Sequence, residues 1–116
     1  MTNRSSPLAL PCAPVDLVAV AIGGRQVILA WTECGAEAGG LGFRIGRAVC
    51  HSPCTPFVEI GKVGPHVAAF RDGSVEPRTT YHYRVHAWNT SGDSSLSNVV
   101  EVTTPQIETE LPADKE

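Results

Sequence analysis

The sequence predicts an all-β fold, a seven-stranded antiparallel β-sandwich, and three observations carry that expectation. Apolar and polar residues alternate at period two along most of the chain. The 116 residues include 11 Gly and 9 Pro, which interrupt the chain too often for long helices. No stretch sustains the helical period of about 3.6 residues. The length suits one ordinary domain with a core of its own and is too short for two conventional ones.

The elements follow in chain order. Leu17 to Val20 reads as the first strand. Val27, Leu29 and Trp31 alternate with Ile28 and Ala30 between Gly24 and Cys34-Gly35, an apolar run that reads as a buried second strand. Phe43-Arg44-Ile45-Gly46 alternates as the third. Phe57 to Val63 and Val67 to Phe70 supply the fourth and fifth. Tyr81-His82-Tyr83-Arg84-Val85-His86-Ala87-Trp88 is the longest alternation, its odd positions on one face and its even positions on the other, as a sheet buried on one side requires. Val99, Val100 and Val102 make a last strand before Pro105. Residues 1–13 and 105–116 read as linkers or tails around a domain at 14–104.

The formal net charge of −3 is local. Eight of the 12 acidic and eight of the 9 basic residues lie in 1–105, so the body is neutral. The last eleven residues carry Glu108, Glu110, Asp114 and Glu116 against Lys115. A neutral body has no broad field to gather phosphates, which argues against nucleic acid as a partner. No run approaches about 18 apolar residues, so membrane insertion is not expected. Met1 to Ser6 runs into Pro7 and Pro11 without an apolar stretch, so no secretory signal peptide is expected within this chain.

From Pro14 to Thr104 the sequence resembles a fibronectin type III domain, particularly the copies appended to bacterial secreted proteins. The resemblance rests on Val27-x-Leu29-x-Trp31, on Phe43-x-Ile45, and above all on one ordered block. That block is Phe70-x-Asp72-x-x-Val75-x-Pro77-x-Thr79-x-Tyr81-x-Tyr83-x-Val85-x-Ala87-x-Asn89, followed by Gly92, Ser94 and Ser97. Val75 stands where the family usually has Leu. The resemblance implies an immunoglobulin-like sandwich whose core includes Leu17, Leu29, Trp31, Phe43, Ile45, Phe70, Tyr81, Tyr83 and Val85. It implies a tyrosine corner at Tyr81, its ring under the sixth strand and its hydroxyl bonded to a nearby loop backbone. An immunoglobulin domain would put Cys on the second and sixth strands and Trp on the third; here Trp31 is on the second strand and the sixth has no Cys.

Four cysteines allow three pairings. In the implied topology Cys12 precedes the first strand and Cys34 follows the second, at one pole; Cys50 and Cys54 share the third-to-fourth loop, Ala48 to Pro56, at the other. Disulfides Cys12–Cys34 and Cys50–Cys54 are therefore expected, worth about 3 and about 2 kcal/mol on the chain-entropy model. A zinc site from Cys50, His51 and Cys54 is the weaker alternative, since no second ligand pair stands at usual spacing. Free thiols in a reducing cytosol are the remaining one.

No catalytic constellation is visible, the resembled family is non-catalytic, and no enzyme activity, metal or cofactor is expected. His82 and His86 share a face but lie about 13 Å apart, too far to chelate one ion together. The even face of the sixth strand, His82, Arg84, His86 and Trp88, is a candidate interaction face, since an exposed Trp beside cations stacks on sugars or anchors proteins. A sheet-shielding role for Trp88 is the plainer alternative. The loop Thr90, Ser91, Gly92, Asp93 is a candidate interaction loop, with Gly92 and Asp93 read as turn residues. It stands where fibronectin's adhesive module displays Arg-Gly-Asp, but Ser91 replaces the Arg, so integrin binding does not transfer. Asn3-Arg4-Ser5 and Asn89-Thr90-Ser91 fit the glycosylation sequon, although Asn89 reads better as structural.

The expected function is a non-catalytic spacer or protein-interaction module, extracellular or at the cell surface. Its expected partners are neighbouring domains or another protein, with polysaccharide as a further candidate. The alternatives are a carbohydrate-binding accessory domain of a secreted enzyme, or a structural subunit of a surface or viral assembly.

Overall fold

A computed structural model describes residues 9–34 and 40–106; Asn3, most of the N-terminal tail and the acidic residues of the C-terminal tail lie outside them. Eight strands form two antiparallel sheets: β1 (Val15–Ala21), β2 (Val27–Thr32), β3 (Gly42–Cys50), β4 (Val58–Val63), β5 (Ala69–Asp72), β6 (Thr80–Asn89), β7 (Gly92–Asp93) and β8 (Val100–Thr103). One sheet has the order β1-β2-β5; the other runs β4-β3-β6-β7, with β8 also paired to β6. No helix of the described residues is long and apolar enough to cross a membrane.

The expected seventh strand is β8; the additional strand, β7, falls in the segment read from sequence as a loop, and what separates it from β8 is a chemical substitution in the ladder. Between β7 and β8 the chain bulges away from β6, and two serine hydroxyls take over the acceptor role of backbone carbonyls. Ala87 N–H donates to Ser94 Oγ at 2.8 Å and Val85 N–H to Ser97 Oγ at 2.9 Å. The Ser94 and Ser97 amides return the bonds to Ala87 O and Val85 O, each at 2.8 Å. No β6 amide is left buried without a partner by the break. Next to it, Asn98 grips β1 as a strand would: its Oδ1 accepts from Leu17 N–H at 2.9 Å and its Nδ2 donates to Leu17 O at 3.0 Å. That clamp falls where β1 itself is bulged, between Val15 and Val18, with Asp16 at φ 55°.

The alternating residues meet between the sheets. Val27 and Leu29 from β2 pack against Ile45 from β3 and Tyr83 and Val85 from β6, all fully buried. Trp31 meets Phe43 edge-on across the gap, ring centroids 5.4 Å apart. Tyr81 accepts a hydrogen bond from Glu76 N–H at 2.8 Å, the tyrosine-corner contact the resemblance implies. Phe70 is the one expected core residue that is only half-buried. It sits on β5, the edge of its sheet, and its ring lies over Gly61 of β4, the edge of the other, so near that a Cβ on Gly61 would fall 2.5 Å from the ring. Phe70 closes the open side of the sandwich instead of filling its centre.

Strand ends differ from the sequence reading at several places, and at β3 and β5 the reason is visible. β3 continues to Cys50, because its full length pairs with β6 from Gly42↔Trp88 to Cys50↔Thr80, so the following loop begins at His51. β5 starts at Ala69 instead of Val67, whose amide is used in a turn to Gly64 O. Gly42 opens β3 at φ 152°, with Val63 O so close that a Cβ there would lie 2.1 Å from it.

Candidate functional site

The outer face of the β3–β6–β8 sheet carries the four candidate interaction residues. None of them stands open: each is half-buried and touched by another part of the chain. Arg84 lies over the Phe57 ring at 3.9 Å, and Arg44 covers Trp88 at 4.7 Å. His82 meets Cys54 and Glu101, and His86 Nε2 lies 3.5 Å from Asp93 Oδ1 without making a hydrogen bond. The loop after β3 folds back over this face, which is why Ala48, an outward position, is only 1% exposed. Arg44, Arg84 and His86 then line a shallow pocket with Phe57 and Leu96. Arg44 Nε and His86 Nε2, from that lining, and Trp88 Nε1, from the ring Arg44 covers, are buried with no hydrogen-bond partner. Arg44 is also paired with Glu59 at 3.3 Å.

Both disulfides are present in the expected pairing. Cys12 is joined to Cys34, with Cα atoms 5.9 Å apart, and Cys50 to Cys54. The described residues contain no free cysteine. His51, the histidine within the cysteine spacing, is not the one that meets the sulfurs. His82 is, with its Nδ1 3.8 Å from Cys54 Sγ. Sequence distance hid this: His82 pairs with Ala48 on β3, one diagonal step from Cys50, and only the register reveals it.

The candidate loop is a tight hairpin. Asn89 pairs with Gly92 and Trp88 with Asp93, so Thr90 and Ser91 make the turn, while Gly92 and Asp93, read above as turn residues, belong to β7. Asn89 is 3% exposed. Its Nδ2 donates to Ala9 O and its Oδ1 accepts from Ser91 N–H, both at 2.8 Å. A glycan would have to be built on an Nδ2 that is buried and donates to Ala9 O, so Asn89 is a structural asparagine in this fold.

One polar cluster escaped the sequence reading altogether. Asp72, 3% exposed at the end of β5, accepts hydrogen bonds from Tyr83 Oη at 2.7 Å, Arg47 at 2.9 Å, and the Ser74 hydroxyl and amide at 2.7 and 3.0 Å. Burial pushes its carboxyl up, but those four donors outweigh burial and hold it below the ordinary carboxylate range. Burial, then the bond to Asp72, pushes the Tyr83 phenol far up. Arg47 also lies over the Tyr81 ring at 5.1 Å. Asp72, Arg47 and Tyr83 come from both sheets, so the cluster staples the sandwich together. An acid at the end of a strand, inside the Phe70-x-Asp72 motif, was the signal available for it.

No protein-family model and no curated protein matches the sequence. Solved structures do match. The CNTN1 FN1-FN3 domains of chicken align at a TM-score of 0.74 and 19% identity over 84% of this chain and 33% of that one. The FN5 domain of Drosophila Lar aligns at 0.65 and 21% over 82% of this chain and 97% of that one. A β-1,2-glucanase from Parabacteroides distasonis aligns at 0.71 and 21% over 89% of this chain and 14% of that one. The sandwich described above is therefore of the fibronectin type III fold.

Proposed function

We propose that this chain is a non-catalytic spacer and protein-interaction module that works outside the reducing cytosol. The observation that carries the reading is where the chain enters and leaves the sandwich. Ala9 and Leu10 lie against Asn89 and Gly92, beyond the end of β6. Thr104 and Pro105 lie against Thr79 and Arg78, before its beginning. Entry and exit are thus separated by the length of β6, ten residues or about 33 Å. Segments attached to the two ends are held in line, as a spacer requires. The two disulfides support an oxidising compartment. Arg44 lies over the Trp88 ring where a sugar would stack, which favours protein over polysaccharide as the partner.

Fusing a globular reporter to each end of the full chain and recording small-angle X-ray scattering tests the geometry. Reporters at opposite poles are expected; a side-by-side arrangement would overturn the spacer reading. Counting thiols in protein recovered from its source tests the compartment, and four free thiols would refute it.

A further inference from the structure

The loop between β3 and β4 brings together two sulfurs and an imidazole. The ligand atoms of Cys50, Cys54 and His82 all lie within 4.8 Å of one another. On the far side of the imidazole, His82 Nε2 is 2.9 Å from Glu101 Oε1, on the β8 residue paired with it. An ionised carboxylate can only accept, so Nε2 carries a proton, and the neutral imidazole then turns its Nδ1 lone pair toward Cys54. A carboxylate behind a histidine in this way fixes the tautomer and orientation of an imidazole ligand.

We propose that, once the Cys50–Cys54 bond is reduced, Cys50, Cys54 and His82 bind a thiophilic divalent cation of the zinc class, with Glu101 as the positioning residue. Tetrahedral zinc, with bonds of about 2.3 Å to sulfur and about 2.0 Å to nitrogen, places sulfur about 3.5 Å from nitrogen. The Cys54–His82 separation of 3.8 Å is close to that already. Three residues between the cysteines fall within the usual ligand spacing.

The loop is held by more than its disulfide. Cys50 and Cys54 also form a backbone bridge. Thr55 N–H donates to Val49 O at 2.8 Å, and Val49 N–H to Thr55 Oγ1 at 2.9 Å. The two sulfurs therefore stay neighbours when the bond between them breaks. Cys54 is exposed, so a reductant and then a cation can reach it.

The chemistry balances. A dithiol or phosphine reductant supplies two electrons and solvent supplies two protons, converting the disulfide to two thiols while the reductant is oxidised. The cation displaces the two thiol protons to solvent and takes the Nδ1 lone pair, leaving a fourth position for water. Crosslink and metal site exclude each other, so one loop serves oxidising surroundings and the other state serves reducing ones.

Anaerobic titration of the full reduced chain with Co²⁺, then with Zn²⁺ against a chromophoric chelator, tests this. One equivalent with thiolate-to-cobalt charge transfer is expected for reduced protein and none for oxidised. Cys50→Ser/Cys54→Ser must abolish it; retention would assign the metal to Cys12 and Cys34 and overturn the proposal. Glu101→Gln should weaken zinc about ten- to a hundredfold, and His82→Ala more, with loss of the nitrogen-ligand signature. Unchanged affinity in His82→Ala would also overturn it. Sucrose in every sample favours the compact state, and circular dichroism confirms that each variant compared is folded.

Discussion

The two faces of β6 treat polar groups in opposite ways. On the inner face, Tyr81 and Tyr83 place their hydroxyls among fixed partners, the Glu76 amide and the Asp72 carboxylate. On the outer face, Trp88 and His86 keep ring nitrogens buried without partners, beneath an arginine and beside an aspartate. Deep between the sheets an unpaired donor is costly, and both β6 hydroxyls are matched there, whereas the Trp31 Nε1 of β2 is buried without a partner. On a half-covered face water lies a short distance away, and side chains are held by stacking instead.

The contrast predicts an order of effects. Asp72→Ala strands the Arg47 guanidinium and the Tyr83 hydroxyl, and should cost about 3 kcal/mol or more, read as the shift in urea midpoint near neutral pH. Its acid response follows from the direction of the shift. The folded carboxyl titrates below the unfolded one, so its contribution is complete above about pH 4 and is lost as pH falls further. Wild type should therefore lose stability more steeply on acidification than Asp72→Ala; equal slopes would deny the cluster its role.

Ser97→Ala comes next. It deprives the buried Val85 amide of its acceptor, with an expected cost of about 1–3 kcal/mol. Faster hydrogen exchange at Val85 is the local signature. Arg44→Ala should be the mildest, below about 1 kcal/mol, since the stack on Trp88 is partly exposed. Its distinguishing effect is optical: Trp88 becomes open to acrylamide quenching while Trp31, 6% exposed, stays protected. A large loss from Arg44→Ala beside a small one from Asp72→Ala would reverse the comparison between faces.

What the sequence made legible follows from what burial writes into it. β6 could be read residue by residue because one face is buried and period two leaves a visible mark. Trp31, Phe43 and Tyr81 carried the core for the same reason. The break between β7 and β8 left no such mark, because a serine hydroxyl standing in for a carbonyl changes no hydrophobic pattern. Asp72 and Arg47 are far apart in sequence, and His82 and Cys54 farther still; only sheet register and the fold of a loop bring each pair together. The openness of Trp88 could not be read either, because its cover comes from Arg44, on the neighbouring strand and two residues along from Gly42, its register partner.

The separation of entry and exit at opposite poles has a mechanical consequence. A pull on the two ends acts lengthwise along β1 and β8. Their bonds to β2 and β6 would then share the load and yield together in shear, instead of opening singly from one end. Asn98 ties β1, at its bulge, to the segment leading into β8. Under tension, that one amide side chain would bear force between the sheets.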